Sequence, residues 1–160
     1  MVEDYQRSML SLFIELELKI GELYGVLADV FPEEAAFFRT HHAQELKHAQ
    51  WIEYYAGKAE QGTVLFHEDK TRTYTVKAFL AHVQTIIADA KAKRLSLVSA
   101  LSLSASVEDS LIERKVFDHF KADSPELQGL IGRLRQETEA HAAEMKKLRL
   151  AYANRASGSR

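Results

Sequence analysis

Residues 41–49 read HHAQELKHA, with three histidines and one glutamate in nine positions, and Glu45 and His48 three apart. On an α-helix, residues i and i+3 share a face, so this spacing presents a carboxylate and an imidazole to the same point. What that point is depends on the surroundings. The inward stripe of the segment, Phe38, Ile52 and Ala56 with Tyr55 beside it, continues through Glu45 and His48, with His41 one turn before Glu45. Taken alone, such a pair is common on solvated helix faces. A partner on another helix is what separates a solvated pair from a buried centre.

Working outward from that stretch, the spacing predicts helices almost throughout. From Glu3 to Ala28 the apolar residues Met9, Leu12, Phe13, Leu16, Ile20, Leu23, Tyr24 and Leu27 recur at three and four, the period of an amphipathic helix. Pro32 suits the first turn of a second helix, with Glu33 and Glu34 at its positive end. That helix is expected to run to about Ala59, with Gly62 as its stop. Residues 63–74 lack a sustained period and read as a connection. A third amphipathic stretch covers 75–91, with Val76, Phe79, Leu80, Val83, Ile87 and Ala90 on one face. Ser96 is a candidate cap for a helix from 97 to about 121, and Ser124-Pro125 opens a last one. Its face carries Leu127, Leu130, Ile131, Leu134, Met145 and Leu148.

The two ends of the chain share markers. Pro32-Glu33 and Pro125-Glu126 each open a helix, and each proline is followed 16 positions later by a histidine, His48 or His141, and then alanine. Both pairs are offset by 93 residues, which suggests two related helix pairs joined by a long connection over 60–95.

Bulk composition narrows the function classes. At 160 residues the chain is the length of one domain, long enough to bury a core without staples. It has no cysteine, which excludes disulfides, zinc–thiolate sites, iron–sulfur clusters and thiol nucleophiles. A balance of 21 Lys+Arg against 23 Asp+Glu, spread along the chain, gives no nucleic-acid footprint. No apolar run approaches the ~20 residues of a membrane span, and the acidic start is unlike a signal peptide, so a soluble cytoplasmic protein is expected. Seven glycines and two prolines fit long helices better than a many-stranded sheet.

Ionisable residues on apolar faces are the informative ones. Glu15 and Glu22 lie opposite the first stripe, but Glu17 has Phe13, Ile20 and Tyr24 as its helical neighbours and points inward. Glu108 is framed by Ala105, Leu111, Ile112 and Leu101. The last stripe passes through Thr138 and His141. Each of four helices thus offers a metal-competent side chain near mid-length. Buried carboxylates are costly and repel one another unless a cation joins them, and mixed Glu/His sets suit iron or manganese. His41 and His42 read as polar-face or supporting residues, Tyr24 as a packed aromatic whose hydroxyl bonds a ligand carboxylate, and His67, His82 and His119 as surface residues.

With these residues in place, the chain resembles a ferritin-like di-iron protein, nearest the rubrerythrin type without a rubredoxin domain. The resemblance rests on ELKIGELY (Glu17, Tyr24), ELKHA (Glu45, His48), SVEDSLIE (Glu108) and TEAHA (His141), and spans residues 5 to about 150. It implies an all-α, ferritin-like four-helix bundle over 1–152, with a long crossover containing an extra helix between its second and third helices and a disordered tail at 153–160. It also implies two iron ions, or one, with manganese and zinc as alternatives. Glu45 would bridge them, and Glu17, His48, Glu108 and His141 would be terminal ligands. The implied activity is reduction of peroxide or dioxygen, with an external electron donor because the chain has no cysteine. A homodimer is implied, with no nucleic-acid or membrane partner. Two positions depart from the pattern: Thr138 stands where a second Glu-x-x-His would begin, and Leu111 where a further carboxylate would fall. Glu137 and Glu144 are the nearest substitutes. Three readings therefore stay open: a di-iron oxidoreductase, an iron-handling protein with an incomplete site, and a helical scaffold that has lost its metal.

Overall fold

The computed structural model describes residues 4–61, 64–66, 73–113, 120–122 and 124–157. Within them the chain is helical apart from one short ribbon: α1 Asp4–Val30, a 3-10 turn Pro32–Glu34, α2 Ala35–Glu60, β1 Val64–Phe66, α3 Thr73–Lys91, α4 Leu97–Glu113, β2 Phe120–Ala122 and α5 Pro125–Ser157.

The first stripe behaves as its period predicts. Met9, Phe13, Leu16, Ile20, Leu23, Tyr24 and Leu27 are all buried, and fully burying a side chain of this size is worth about 1.5–3 kcal/mol. Phe31 and the Pro32 turn send α2 back along α1, and Arg7 near the start of α1 pairs with Glu60 at the end of α2. The two helices approach closely at Gly21, where an added Cβ would lie 3.3 Å from the Cβ of Glu45. His42 uses the same gap, its Nδ1–H donating to the Gly21 carbonyl at 2.7 Å. This close approach sets Glu45 beside the mid-length of α1. α4 and α5 form a second packed pair, α3 lies against α1 and α4, and α2 meets α5.

The helix ends follow local chemistry. Ser96 caps α4, its Oγ accepting from the Ser99 N–H at 3.1 Å, and the Ser124 carbonyl accepts from Gln128 at the start of α5. α3 closes with paired bonds from Lys93 N–H to Ala90 and from Arg94 N–H to Asp89, with Lys93 left-handed at φ 53. That pairing is the Schellman arrangement, in which glycine is the usual residue.

Several boundaries differ from expectation. α4 is described from Leu97 to Glu113, and where a helix to about 121 was expected, 120–122 pair antiparallel with 64–66, in the register Val64↔Ala122, Leu65↔Lys121 and Phe66↔Phe120. The expected connection at 63–74 therefore holds a strand, and α3 begins at Thr73. Backbone pairing between segments far apart in sequence overrides the local helical pattern there. In α2 it is Tyr55 that is buried, and Ala56 only partly so. α5 continues through Ser157, past 152, with Tyr152 bonded to Glu34. No helix among the described residues is long and apolar enough to cross a membrane. Gly62, His67 and His119 lie outside the described residues.

Candidate metal centre

α1, α2, α4 and α5 each bring one or more of the predicted residues to a common centre. Glu17, Glu45, His48, Glu108 and His141 are all buried, each at 2% exposure or less. The reason is register: every one lies on the inward stripe of its helix, Glu17 and Glu108 between apolar residues one turn away on either side, and Glu45, His48 and His141 on stripes continued by Ile52 and Met145.

Glu45 is the hub. Its Oε2 lies 3.0 Å from Nδ1 of His48 and its Oε1 lies 2.7 Å from Nδ1 of His141. Each imidazole then faces one further carboxylate, Glu17 Oε2 at 3.7 Å from His48 Nδ1 and Glu108 Oε1 at 3.6 Å from His141 Nδ1. The cluster divides into two similar halves sharing one carboxylate, Glu17–His48 on one side and Glu108–His141 on the other. One ligand atom from each of Glu45, His48 and His141 falls within 4.8 Å of the others.

Outer contacts aim the rings. Nε2 of His48 lies 3.0 Å from Glu137 Oε2, and Nε2 of His141 lies 3.0 Å from Gln44 Oε1. Each outer nitrogen has an acceptor, so Nδ1 is the atom left to face the centre. The Tyr24 hydroxyl donates to Glu108, as expected of it. Trp51 packs on His48, with Lys47 and Arg133 over its ring.

The electrostatics are those of a crowded anionic site. Burial, with the charge of Glu45 adding to it, pushes the Glu17 carboxyl up to about 8. Burial and Glu45 also raise Glu108. Burial alone would lift Glu45 too, but His141 and His48 outweigh it and hold Glu45 well below the usual carboxylate range. Burial likewise opposes charge on the two imidazoles, yet Glu17 and Glu45 raise His48 to about 11, and Glu108 and Glu45 raise His141 to about 10. In the absence of metal, protons on the imidazoles do the work of cations.

These residues fit a metal. Four buried atoms of the cluster lack a hydrogen-bond partner: Glu17 Oε2, Glu45 Oε1, Glu108 Oε2 and His141 Nδ1. Two of these, Glu45 Oε1 and His141 Nδ1, are informative, because they are only 2.7 Å apart yet the N–H direction does not point along the contact. Metal–ligand bonds of about 2.0–2.2 Å at right angles place neighbouring ligand atoms about 3 Å apart. Such a contact suits two ligands of one ion better than a donor and an acceptor. Glu17, Glu45, Glu108 and Glu137 together also carry the charge that two divalent ions would neutralise.

One position differs from the sequence reading. His41 is not on a polar face but 1% exposed, its ring 4.7 Å from that of His141. Thr138 is buried and turns its hydroxyl back to the Leu134 carbonyl at 2.9 Å, so it offers nothing to the cluster. Glu137 and Glu144 do reach inward, but to outer nitrogens: Glu137 to His48 and Glu144 to His41. Gln44, the acceptor for His141, was missed; it lies three residues after His41 on no apolar stripe, and only its place one residue before Glu45 hinted at it. His82 is exposed, as expected. No family model, no curated protein and no solved structure matches this chain.

Proposed function

We propose that the chain is a ferritin-like metal protein of the rubrerythrin type, binding two redox-active divalent ions through one shared carboxylate. The observation that carries this reading is the hub: the two oxygens of buried Glu45 each face a different imidazole Nδ1. In this reading α1, α2, α4 and α5 form the four-helix bundle, and the segment containing α3 is its crossover. Glu17 and His48 would hold one ion and Glu108 and His141 the other, with Glu45 shared between them. When bound, a pair of iron or manganese ions supplies electrons to peroxide or dioxygen. The protein's own part is to aim both imidazoles, Nε2 toward Glu137 and Gln44 and Nδ1 toward the centre, and to keep them buried. Electrons come from a separate donor, since the chain carries no cysteine for a second redox centre. A homodimer belongs to the same reading.

The test is reconstitution with Fe(II) under argon, then addition of hydrogen peroxide. Reduction of one peroxide to two waters takes two electrons and two protons, so two Fe(II) are oxidised per peroxide. With excess external reductant, peroxide consumption continues. Iron that binds but does not turn over supports the second reading, an iron-handling protein, which Thr138 favours by withholding a second bridging carboxylate. Absence of iron binding overturns both.

A further inference from the structure

His41 has no role in the centre just described, yet it is buried and chemically incomplete. Its Nδ1 lies 2.9 Å from the Phe37 carbonyl, which can only accept, so Nδ1 carries a hydrogen. In the neutral ring Nε2 is then a bare lone pair. That atom has no hydrogen-bond partner, although the Glu144 carboxylate lies 3.1 Å away. A protonated Nε2 would donate along the ring plane to Glu144, and the contact does not have that geometry. A lone pair and a carboxylate oxygen at this separation repel unless a cation sits between them. The spacing again matches neighbouring ligands of one ion, about 3 Å for bonds of about 2.0–2.2 Å.

The surroundings give the pair a direction. The Glu144 side chain is 55% exposed while that of His41 is 2% exposed, so the two join solvent to the interior. The His41 ring is walled by Phe37 at 4.4 Å and by the edge of Tyr24 at 5.7 Å, which leaves it no other polar outlet on those sides. Beyond it lie His141, ring to ring at 4.7 Å, and then Glu45 Oε1. We propose that His41 and Glu144 form a separate, transient cation-binding site on the α2–α5 face, through which divalent metal loads the His141 half of the centre. The proposal rests on the reading of the centre as a metal site. A carboxylate at the surface captures the hydrated ion, and the neutral imidazole takes it on as water is shed. Two protein ligands bind weakly enough for the ion to move on.

The experiment follows Co(II) uptake by metal-free protein in a stopped-flow spectrometer, with bound cobalt per chain measured after equilibration. Wild type, Glu144→Gln, His41→Gln and a control, Glu139→Gln on the exposed side of α5, are compared. Glu144→Gln, at an exposed position that leaves the fold intact, is expected to load at least tenfold more slowly to the same final cobalt content. That is the lower end of rate effects from charged access sites, roughly 10- to 1,000-fold. His41→Gln slows loading similarly, and Glu139→Gln loads at the wild-type rate. Unchanged rates in Glu144→Gln, equal slowing in Glu139→Gln, or a lower final content without slower loading each overturn the loading site while leaving the centre standing. If wild type takes up no cobalt, the reading of the centre falls and this proposal falls with it.

Discussion

Raising the pH will destabilise the metal-free protein and strengthen its hold on metal. In the folded, metal-free state His48 and His141 are raised to about 11 and about 10 from an ordinary 6.5. A group whose folded value is raised contributes stability that is fully present below its unfolded value and lost as pH rises through the folded one. Between pH 7 and 9 the unfolded chain has released both imidazole protons and the folded chain keeps them. Glu17, raised to about 8 from 4.5, acts in the same direction up to pH 8. Each extra proton held by the folded state lowers stability by about 1.4 kcal/mol per pH unit. Two imidazoles alone give about 3 kcal/mol per unit, and Glu17 adds to this below pH 8. One net proton, after sharing within the cluster, still removes about 3 kcal/mol from pH 7 to 9. At about 2–4 °C per kcal/mol for a domain of this size, Tm falls by roughly 6–12 °C. Metal displaces those protons, so the rise in Tm on adding Mn(II) widens over the same interval. Scanning calorimetry of chelator-treated protein at constant ionic strength, with and without Mn(II), measures both slopes. A metal-free Tm that is flat or rises from pH 7 to 9 refutes the electrostatic account.

Further substitutions test single contacts. Glu45→Gln removes the charge shared by both imidazoles; titration calorimetry will show binding weakened about 100-fold or more at both positions, and the metal-free variant loses about 3 kcal/mol in urea denaturation. Thr138→Glu adds a carboxylate on the inward stripe of α5, so it will lower metal-free stability by several kcal/mol and tighten metal binding, read by denaturation with and without Mn(II). Tyr24→Phe deletes the donor to Glu108 and leaves that carboxylate short of a partner, at about 1–3 kcal/mol in the metal-free protein. Lys93→Gly relieves the left-handed residue closing α3 and will stabilise by about 1 kcal/mol, measured by the same denaturation.

The inward placement of Glu17, Glu45, His48, Glu108 and His141 was legible because helical register is local: Glu17 and Glu108 are bracketed by apolar residues at three and four, and Glu45, His48 and His141 fall where the apolar stripes of their helices continue. Their convergence followed from four such helices having to bury those stripes together. Burial of His41 was not legible, because α2 is walled there by Phe37 of its own helix and Tyr24 of α1, and the second contact is invisible to periodicity. The outer bonds of Gln44 and Glu137 depend on how α2 and α5 approach each other, which no single-helix pattern encodes. The ribbon escaped notice for a similar reason. Three-residue strands carry too little alternation to signal themselves, and their pairing joins segments from the two halves of the chain. His48 and His141, 93 residues apart in sequence, occupy matching places on the two sides of Glu45. Thr138 marks where that symmetry breaks.

The most direct test of the centre is metal content. Protein stripped with chelator, titrated with Mn(II) or with Fe(II) under argon and then desalted, is expected to retain two ions per chain, and Glu45→Ala none. Wild type that retains no metal, or Glu45→Ala that retains as much as wild type, contradicts the account.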